Sequence, residues 1–411
     1  MSDNRSQFLT TLVYGQLSVL ELASLQQSGQ VDFKMLAHSD LTALMECDMK
    51  NATSLIGRLG GSYKIVKLCG TSVEDVFESL PLPDDPKFAW TISSYGAPSE
   101  LLEDTRESTR SFLKAKSLGK SRYILPGFLQ KGAASDDTRN ARELKLKDLR
   151  EKVVRPTSSR AGFDIVVAAD LIQDKNLFGY TVDTSDHAGF EKRDFSRSYQ
   201  NPTMTIGPRL ARVLVNLAMK RKHGSLLDPF CGLGTILQEA LVLGYDVCGV
   251  DISASKLERC KTNLNWLRSN SGISPKQRQV VIRGNASRLR KENLPKIEGV
   301  ATEPILLPIF VNNPSGQEGS AAIGKTARVY RETFESLHSL LDVGTRVAFV
   351  APAIVDAAGR EHRIHFDQIV NSSNYRLFKP ESANLVAAYP FRVPSSRKKT
   401  IQRDVYVMEA T

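Results

Sequence analysis

Cysteine is scarce in this 411-residue chain, and the little there is follows no ligand-like pattern. The five residues (Cys47, Cys69, Cys231, Cys248 and Cys260) include no CxxC pair and no zinc spacing. A disulfide framework and a metal site are therefore not expected; a reduced, metal-free interior is. Histidine is also sparse, six in all, and His187 and His223 have no partner visible in sequence, so neither is assigned a role. No apolar run approaches the roughly 20 residues that span a bilayer. The opening Met1-Ser-Asp-Asn-Arg lacks the basic-then-apolar pattern of a signal peptide. A cytoplasmic protein with no membrane partner is the expectation. Acid does not keep pace with base: 45 Asp and Glu against 55 Lys and Arg leave a formal charge of +10. That excess points to a polyanionic partner, nucleic acid first. With 41% hydrophobic residues, the chain can fill cores for two or three domains.

The most informative stretch is Leu226-Leu-Asp-Pro-Phe-Cys-Gly-Leu-Gly-Thr-Ile-Leu-Gln-Glu-Ala240. A short apolar run stops at Asp228-Pro229, Gly232 and Gly234 follow, and Ile236, Leu237, Ala240 and Leu241 then recur at helical spacing. The pattern predicts a strand, a tight turn and a helix. Glycine suits such a turn because the backbone can bend sharply and a ligand can approach without meeting a Cβ. The helix N-terminus adds free N–H groups and a positive dipole end. A second strand, Asp246-Val-Cys-Gly-Val-Asp251, ends in an acid placed to take ribose hydroxyls. The glycines do not have the spacing of nicotinamide-binding proteins. Asp228-Pro-Phe-Cys-Gly-x-Gly-Thr resembles the S-adenosylmethionine (SAM) motif of methyltransferases that modify exocyclic amines of nucleic acids.

Residues 1–75 read as a small α+β module. An amphipathic helix is expected from Leu17, with Leu20, Ala23 and Leu25 on one side and a Ser18/Glu21 capping box. A second helix is expected from Ala52 to Leu59. In 76–185, Phe88 to Gly96 alternates like a strand, a helix follows from about Pro98 to Lys116, and 162–169 with Leu177–Val182 suggests a hairpin. Basic residues recur from Lys114 to Arg160, as a phosphate-binding surface would need. The polar segment 186–206 reads as an irregular linker. From Gly207-Pro208 onward, helix and strand alternate as in a parallel α/β sheet, with strands expected at 226–228, 246–251, 279–283, 298–302, 345–350 and 403–409. The first helix of this part, 207–223, is expected to bury one apolar face and to leave the other exposed, for a partner or for nothing.

With these pieces in place, the chain resembles the tRNA guanine-N2 methyltransferases that modify position 10, and their bacterial relatives. The resemblance rests on Tyr14-Gly-Gln-Leu-Ser-Val-Leu-Glu-Leu22, Leu59-Gly-Gly61, Ile92-Ser-Ser-Tyr-Gly96, Leu177-Phe-Gly-Tyr-Thr-Val182, Arg193-Asp194, the helix Pro208 to Ala218 and the glycine motif. It implies a ferredoxin-like piece (1–75), a THUMP-like RNA-binding domain (76–185) and a Rossmann-like SAM-dependent methyltransferase domain (207–411). It also implies tRNA as partner and, in some relatives, a small activating subunit. Asp228, Pro229, Phe230, Gly232, Gly234, Asp251, Ile252 and Asn285 fall on the cofactor positions. Asp228 would orient the amino end of SAM, Gly232 and Gly234 would clear space for its methionine part, Asp251 would take the ribose, and Asn285 the adenine amine.

The family's Asp-Pro-Pro-Tyr after the fourth strand becomes Glu303-Pro-Ile-Leu306 here. The resemblance makes Glu303 the acceptor of the target amine's N–H, with Pro304 beside it, while Leu306 cannot stack on a base. Cys231, inside the cofactor turn, is expected to be buried packing and not a nucleophile. The leading expectation is methylation of guanine N2 in tRNA. Two others stay open: another exocyclic amine in rRNA or DNA, or a SAM-binding RNA-binding protein with reduced catalysis.

Overall fold

The computed structural model describes residues 5–83, 86–128, 142–143, 162–200, 205–304, 310, 313–366, 369, 374–381, 389–393 and 401–411. The chain divides into two compact units, Met1–Leu22 with Val31–Ala188, and Ala23–Gln30 with Gly189–Thr411.

The first unit is built on one sheet. Its strands are β1 (Ser6–Thr11), β2 (Lys34–His38), β3 (Thr42–Cys47), β4 (Lys64–Gly70), β5 (Ala89–Tyr95), the short β6 (Arg122–Tyr123), β7 (Gly127–Phe128) and β8 (Arg142–Glu143), then β9 (Phe163–Ile172) and β10 (Lys175–Thr184). Their order is β2-β3-β1-β4-β10-β9-β5-β8-β7, with β6 on β5. The β4–β10 pairing thus puts strands from 1–75 and from 76–185 into a single sheet. Helices α1 (Gln16–Gln27), α2 (Met49–Arg58), α3 (Val73–Ser79) and α4 (Ser99–Ala115) complete the description. Asp48 caps α2 by accepting from Asn51 N at 2.6 Å, and Ala52, Leu55 and Ile56 supply its buried stripe.

The start of α1 departs from the capping-box expectation. The helix begins at Gln16, so Ser18 lies inside it and accepts from Tyr14 N at 3.0 Å. Glu21 instead reaches across to accept from Gly60 N and Gly61 N at 2.9 and 2.8 Å. A Cβ on Gly61 would sit 2.5 Å from Ser18 Oγ, which explains the glycine. Nor is α1 amphipathic: every residue from Leu17 to Leu25 is buried. At the centre of the sheet, Lys64 Nζ and Asp164 Oδ2 pair at 2.9 Å with both side chains fully buried. Ser93 and Thr181 hydroxyls also donate to Asp164, at 2.8 and 2.6 Å.

The second unit begins with α5 (His187–Phe195), whose residues from Gly189 on belong to it, in the segment expected to be irregular. Apolar spacing is too weak there to announce a helix. What anchors it is charge and one ring: Arg193 Nε donates to Glu239 Oε1 at 2.5 Å, Arg212 shares the same carboxylate, and both guanidiniums lie over Phe190. The helix α6 (Pro208–Ala218) follows. It does not present the exposed face expected of it, because Leu210 to Ala218 are all buried. Part of its cover is the 23–30 segment of the same unit, where Ser24 and Gln30 side chains donate to Asn216 O and Met219 O.

The sheet of this unit contains β11 (Ser225–Asp228), β12 (Asp246–Asp251), β13 (Gln279–Arg283), β14 (Gly299–Thr302), β15 (Arg346–Val355), β16 (Glu361–Arg363), β17 (Tyr375–Leu377), β18 (Phe391–Val393) and β19 (Ile401–Ala410). The order is β13-β12-β11-β14-β15-β19-β17. The first five strands of that order are parallel, and β19 is antiparallel to β15. Helices α7 (Thr235–Val242), α8 (Ala254–Asn270) and α9 (Gly316–His338) connect them. This is the Rossmann-like α/β arrangement expected. Its strand order reverses between β11 and β14, which opens a crevice at their carboxyl ends.

Candidate active site

Three carboxylates named from sequence, Asp228, Asp251 and Glu303, lie at the carboxyl edge of β11, β12 and β14. Asp228 ends β11, and its Oδ1 accepts from Phe230 N at 3.1 Å and from Thr302 Oγ1, the last residue of β14, at 2.7 Å. The turn between β11 and α7 is tied down by Cys231 N donating to Val250 O at 2.9 Å. Gly232 and Gly234 both have left-handed backbones, φ +52° and +86°. Asp251 grips the turn from β12: Oδ2 accepts from Gly232 N at 3.1 Å and Oδ1 from Ser253 N at 2.8 Å.

The two glycines meet different neighbours. Around Gly232 the nearest atom to an added Cβ is Phe230 O at 3.9 Å, which leaves open space on that side. At Gly234 a Cβ would come within 2.7 Å of Cys260 Sγ on α8, so glycine is needed there for helix packing as well as for its φ. Cys231 and Cys260 are buried, and the Cys231 thiol is pushed far up, first by its hydrogen bond with Cys260 and then by burial. Such a thiol is a packing element and no nucleophile.

Electrostatically the edge is acidic. Burial above all drives Asp228 up to about 7, with further pushes from Asp251 and Glu303 and opposing hydrogen bonds from Thr302 and Phe230. Glu303, just past β14, is pushed up by burial and pulled back by Arg403, whose Nε donates to Oε1 at 2.6 Å. Pro229 and Pro304 are buried beside their acids, while Phe230 is half-buried. Ile252 stands 67% exposed directly after Asp251. Asn285 follows β13, exposed, with its Oδ1 accepting from Ser287 N at 3.0 Å. Leu306 lies outside the described residues.

Three participants escaped the sequence reading. Thr302 was within reach, since a hydroxyl directly before Glu303 can only point to one face or the other of the crevice. Arg403 had no local signal, being one hundred positions from its partner. Asn263, fully buried on α8, donates to Leu233 O in the glycine turn at 3.0 Å and brackets the Tyr199 backbone. No group of three or more His, Cys, Asp or Glu able to hold a metal occurs among the described residues.

Comparison with known proteins bears on the same part of the chain. Residues 196–353 match the RMKL-like methyltransferase domain. A tRNA (guanine(10)-N2)-dimethyltransferase of Methanothermobacter thermautotrophicus is 35% identical over 152 residues, 37% of this chain and 40% of that one. Another, from Pyrococcus abyssi, is 32% identical over 201 residues, 47% of this chain and 53% of its own. The matches therefore span about half or less of these relatives' lengths. Among solved structures, TrmN from Thermus thermophilus superposes with a TM-score of 0.51 at 16% identity, covering 98% of this chain and all of that one. That likeness is one of fold. No helix among the described residues is long and apolar enough to cross a membrane.

The residues at this sheet edge fit SAM. Asp251 has each oxygen fixed by one backbone amide, which leaves lone pairs for a ribose diol. Gly232 is open, and Ile252 offers bare apolar surface beside the carboxylate.

Proposed function

We propose that the chain is a cytoplasmic SAM-dependent RNA methyltransferase that methylates the exocyclic N2 of a guanine in tRNA. The observation that carries this reading is the meeting, at one strand-order reversal, of an Asp251-gripped glycine turn and a buried Glu303-Pro304. The relatives named for guanine(10)-N2 chemistry support the substrate.

Bound SAM supplies a methyl group on a sulfonium, already reactive toward a nitrogen lone pair. The protein's task is to place and prepare the amine. Asp251 holds the ribose hydroxyls, Asn285 accepts from the adenine amine, Phe230 and Ile252 pack on the ligand, and Asp228 with Gly232 and Gly234 holds the methionine end. Glu303 accepts a hydrogen bond from the target N–H, with Pro304 fixing the backbone beside it, so the lone pair turns out of the ring. A guanine within folded tRNA must be swung out to reach this crevice. In the same reading, 1–75 is the ferredoxin-like piece, 76–185 the THUMP-like RNA grip, 186–206 the interdomain connection and 207–411 the catalytic domain. Lys114, Lys116, Lys120 and Arg122 are exposed, as phosphate contacts require; most of the basic run beyond them lies outside the described residues. An activating subunit, if used, would not dock on α6, which is buried.

Two observations favour a second reading: Glu303 is engaged by Arg403, and leucine stands where an aromatic would stack. A different exocyclic amine, in rRNA or DNA, or a SAM-binding RNA binder with reduced turnover, would suit such a loop. Transfer from labelled SAM to total tRNA, then to rRNA and DNA, with identification of the labelled nucleoside, separates the readings. Labelled N2-methylguanosine is expected; another methylated amine replaces the substrate, and binding of SAM without transfer to any of them leaves the binder.

A further inference from the structure

Glu303 is one methylene longer than the aspartate of the motif it resembles, and the structure uses that length. Its Oε1 accepts from Arg403 Nε at 2.6 Å. Arg403 lies on β19, separated from β14 by β15, where it stands in register with Pro352. The pair is nearly dry, with Glu303 and Arg403 side chains 7% and 23% exposed. An aspartate on the same backbone would fall short of that guanidinium by about one carbon–carbon bond.

We propose that Arg403 is a positioning residue for methyl transfer: its Nε–H fixes Glu303 through Oε1 as a charged acceptor and leaves Oε2 for the N–H of the target amine. The inference rests on the reading of Glu303 as that acceptor. The groups that face Glu303 define its task. Arg403 comes from β19; Asp228, at the end of β11, and Tyr330, on α9, interact with it electrostatically. Burial pushes the Glu303 carboxyl up, and Arg403 pulls it back. Deprived of the guanidinium, Glu303 keeps its proton to higher pH. A protonated carboxyl then presents an O–H where an acceptor is required, and the amine lone pair is not released.

The test is the pH dependence of kcat/KM for methyl transfer from SAM to total tRNA. Arg403→Gln should move the acid limb upward by about one pH unit or more, a roughly tenfold loss on the acid side, while SAM affinity stays within about twofold. Arg403→Lys restores charge without the Nε geometry; the acid limb should return to the wild-type position at a lower rate. Glu303→Asp, too short to reach Arg403, should shift the limb as Arg403→Gln does, and covers the case in which the glutamine variant fails to fold. A uniform fall in rate with the limb unmoved overturns the proposal, as does a lysine variant indistinguishable from glutamine. Glu303→Gln separates the two levels. Inactivity there, with an unmoved limb in Arg403→Gln, leaves the acceptor role standing and removes Arg403 from it. Full activity in Glu303→Gln, or no transfer to tRNA by the wild type at any pH, removes both.

Discussion

Each unit buries a carboxylate against a cation from a sheet strand, and the two pairs are built differently. In the first unit, Asp164 is saturated: Lys64, Ser93 and Thr181 all donate to it, and neither member of the ion pair is exposed. In the second, Glu303 takes Arg403 on one oxygen at a strand-order reversal, among two other carboxylates, with a little solvent still reaching both members. A saturated pair in the middle of a sheet has nothing left to bind. An acceptor with an oxygen to spare, in a crevice that holds two further carboxylates, is poised for a ligand. The Lys64 pair should therefore govern stability, and the carboxylates around the glycine turn should govern ligand and rate.

Breaking the scaffold pair should have the largest effect on folding. Lys64→Met leaves Asp164 charged and without its cation in a dry site, at a cost of about 3–5 kcal/mol; denaturant unfolding should show the loss, and Lys64→Met with Asp164→Leu should regain most of it. On the other side of the comparison, Asp251→Ala removes the grip on the glycine turn and the ribose acceptor together. SAM affinity should fall by roughly 10- to 100-fold, about 1.4–3 kcal/mol, measured by calorimetric titration. Gly234→Ala adds a Cβ against Cys260 to a left-handed backbone, and a destabilisation of about 1–3 kcal/mol is expected; Cys260→Ala should return part of it, since only the clash is relieved.

The last effect expected is a slope. Asp228 titrates near 7 in the fold, against about 4 when unfolded. The folded state therefore holds its proton longer. This contribution to stability is complete below about pH 4 and is lost as pH rises through 7. Asp228→Asn should flatten that part of the melting-temperature profile. An unchanged slope would assign it to another group.

The parallel sheet was legible because its strands are short apolar runs ending in Asp228, Asp251 and Thr302, separated by helices of regular spacing. The glycine turn was legible for the same local reason: the φ-positive positions 232 and 234 carry glycine four and six residues after Asp228. Harder features depend on partners far away in sequence. Ser18 and Glu21 have capping-box spacing, yet Gly60 and Gly61, about forty positions on, claim Glu21. The α1 and α6 helices look amphipathic or one-sided because a sequence cannot say how many faces will be covered. The α5 helix hides in a polar segment because ion pairs to Glu239, not periodicity, secure it. Arg403 is the extreme case, since nothing near position 403 points to 303.

The most direct measurement is single-turnover methyl transfer to total tRNA by wild type and Glu303→Gln at saturating SAM, with SAM affinity determined in parallel. A transfer site at this sheet edge predicts N2-methylguanosine from the wild type and a rate lowered by about 100- to 1,000-fold in the variant, with SAM affinity changed by no more than about twofold. Equal rates from the two proteins would contradict it and take the chemistry away from Glu303.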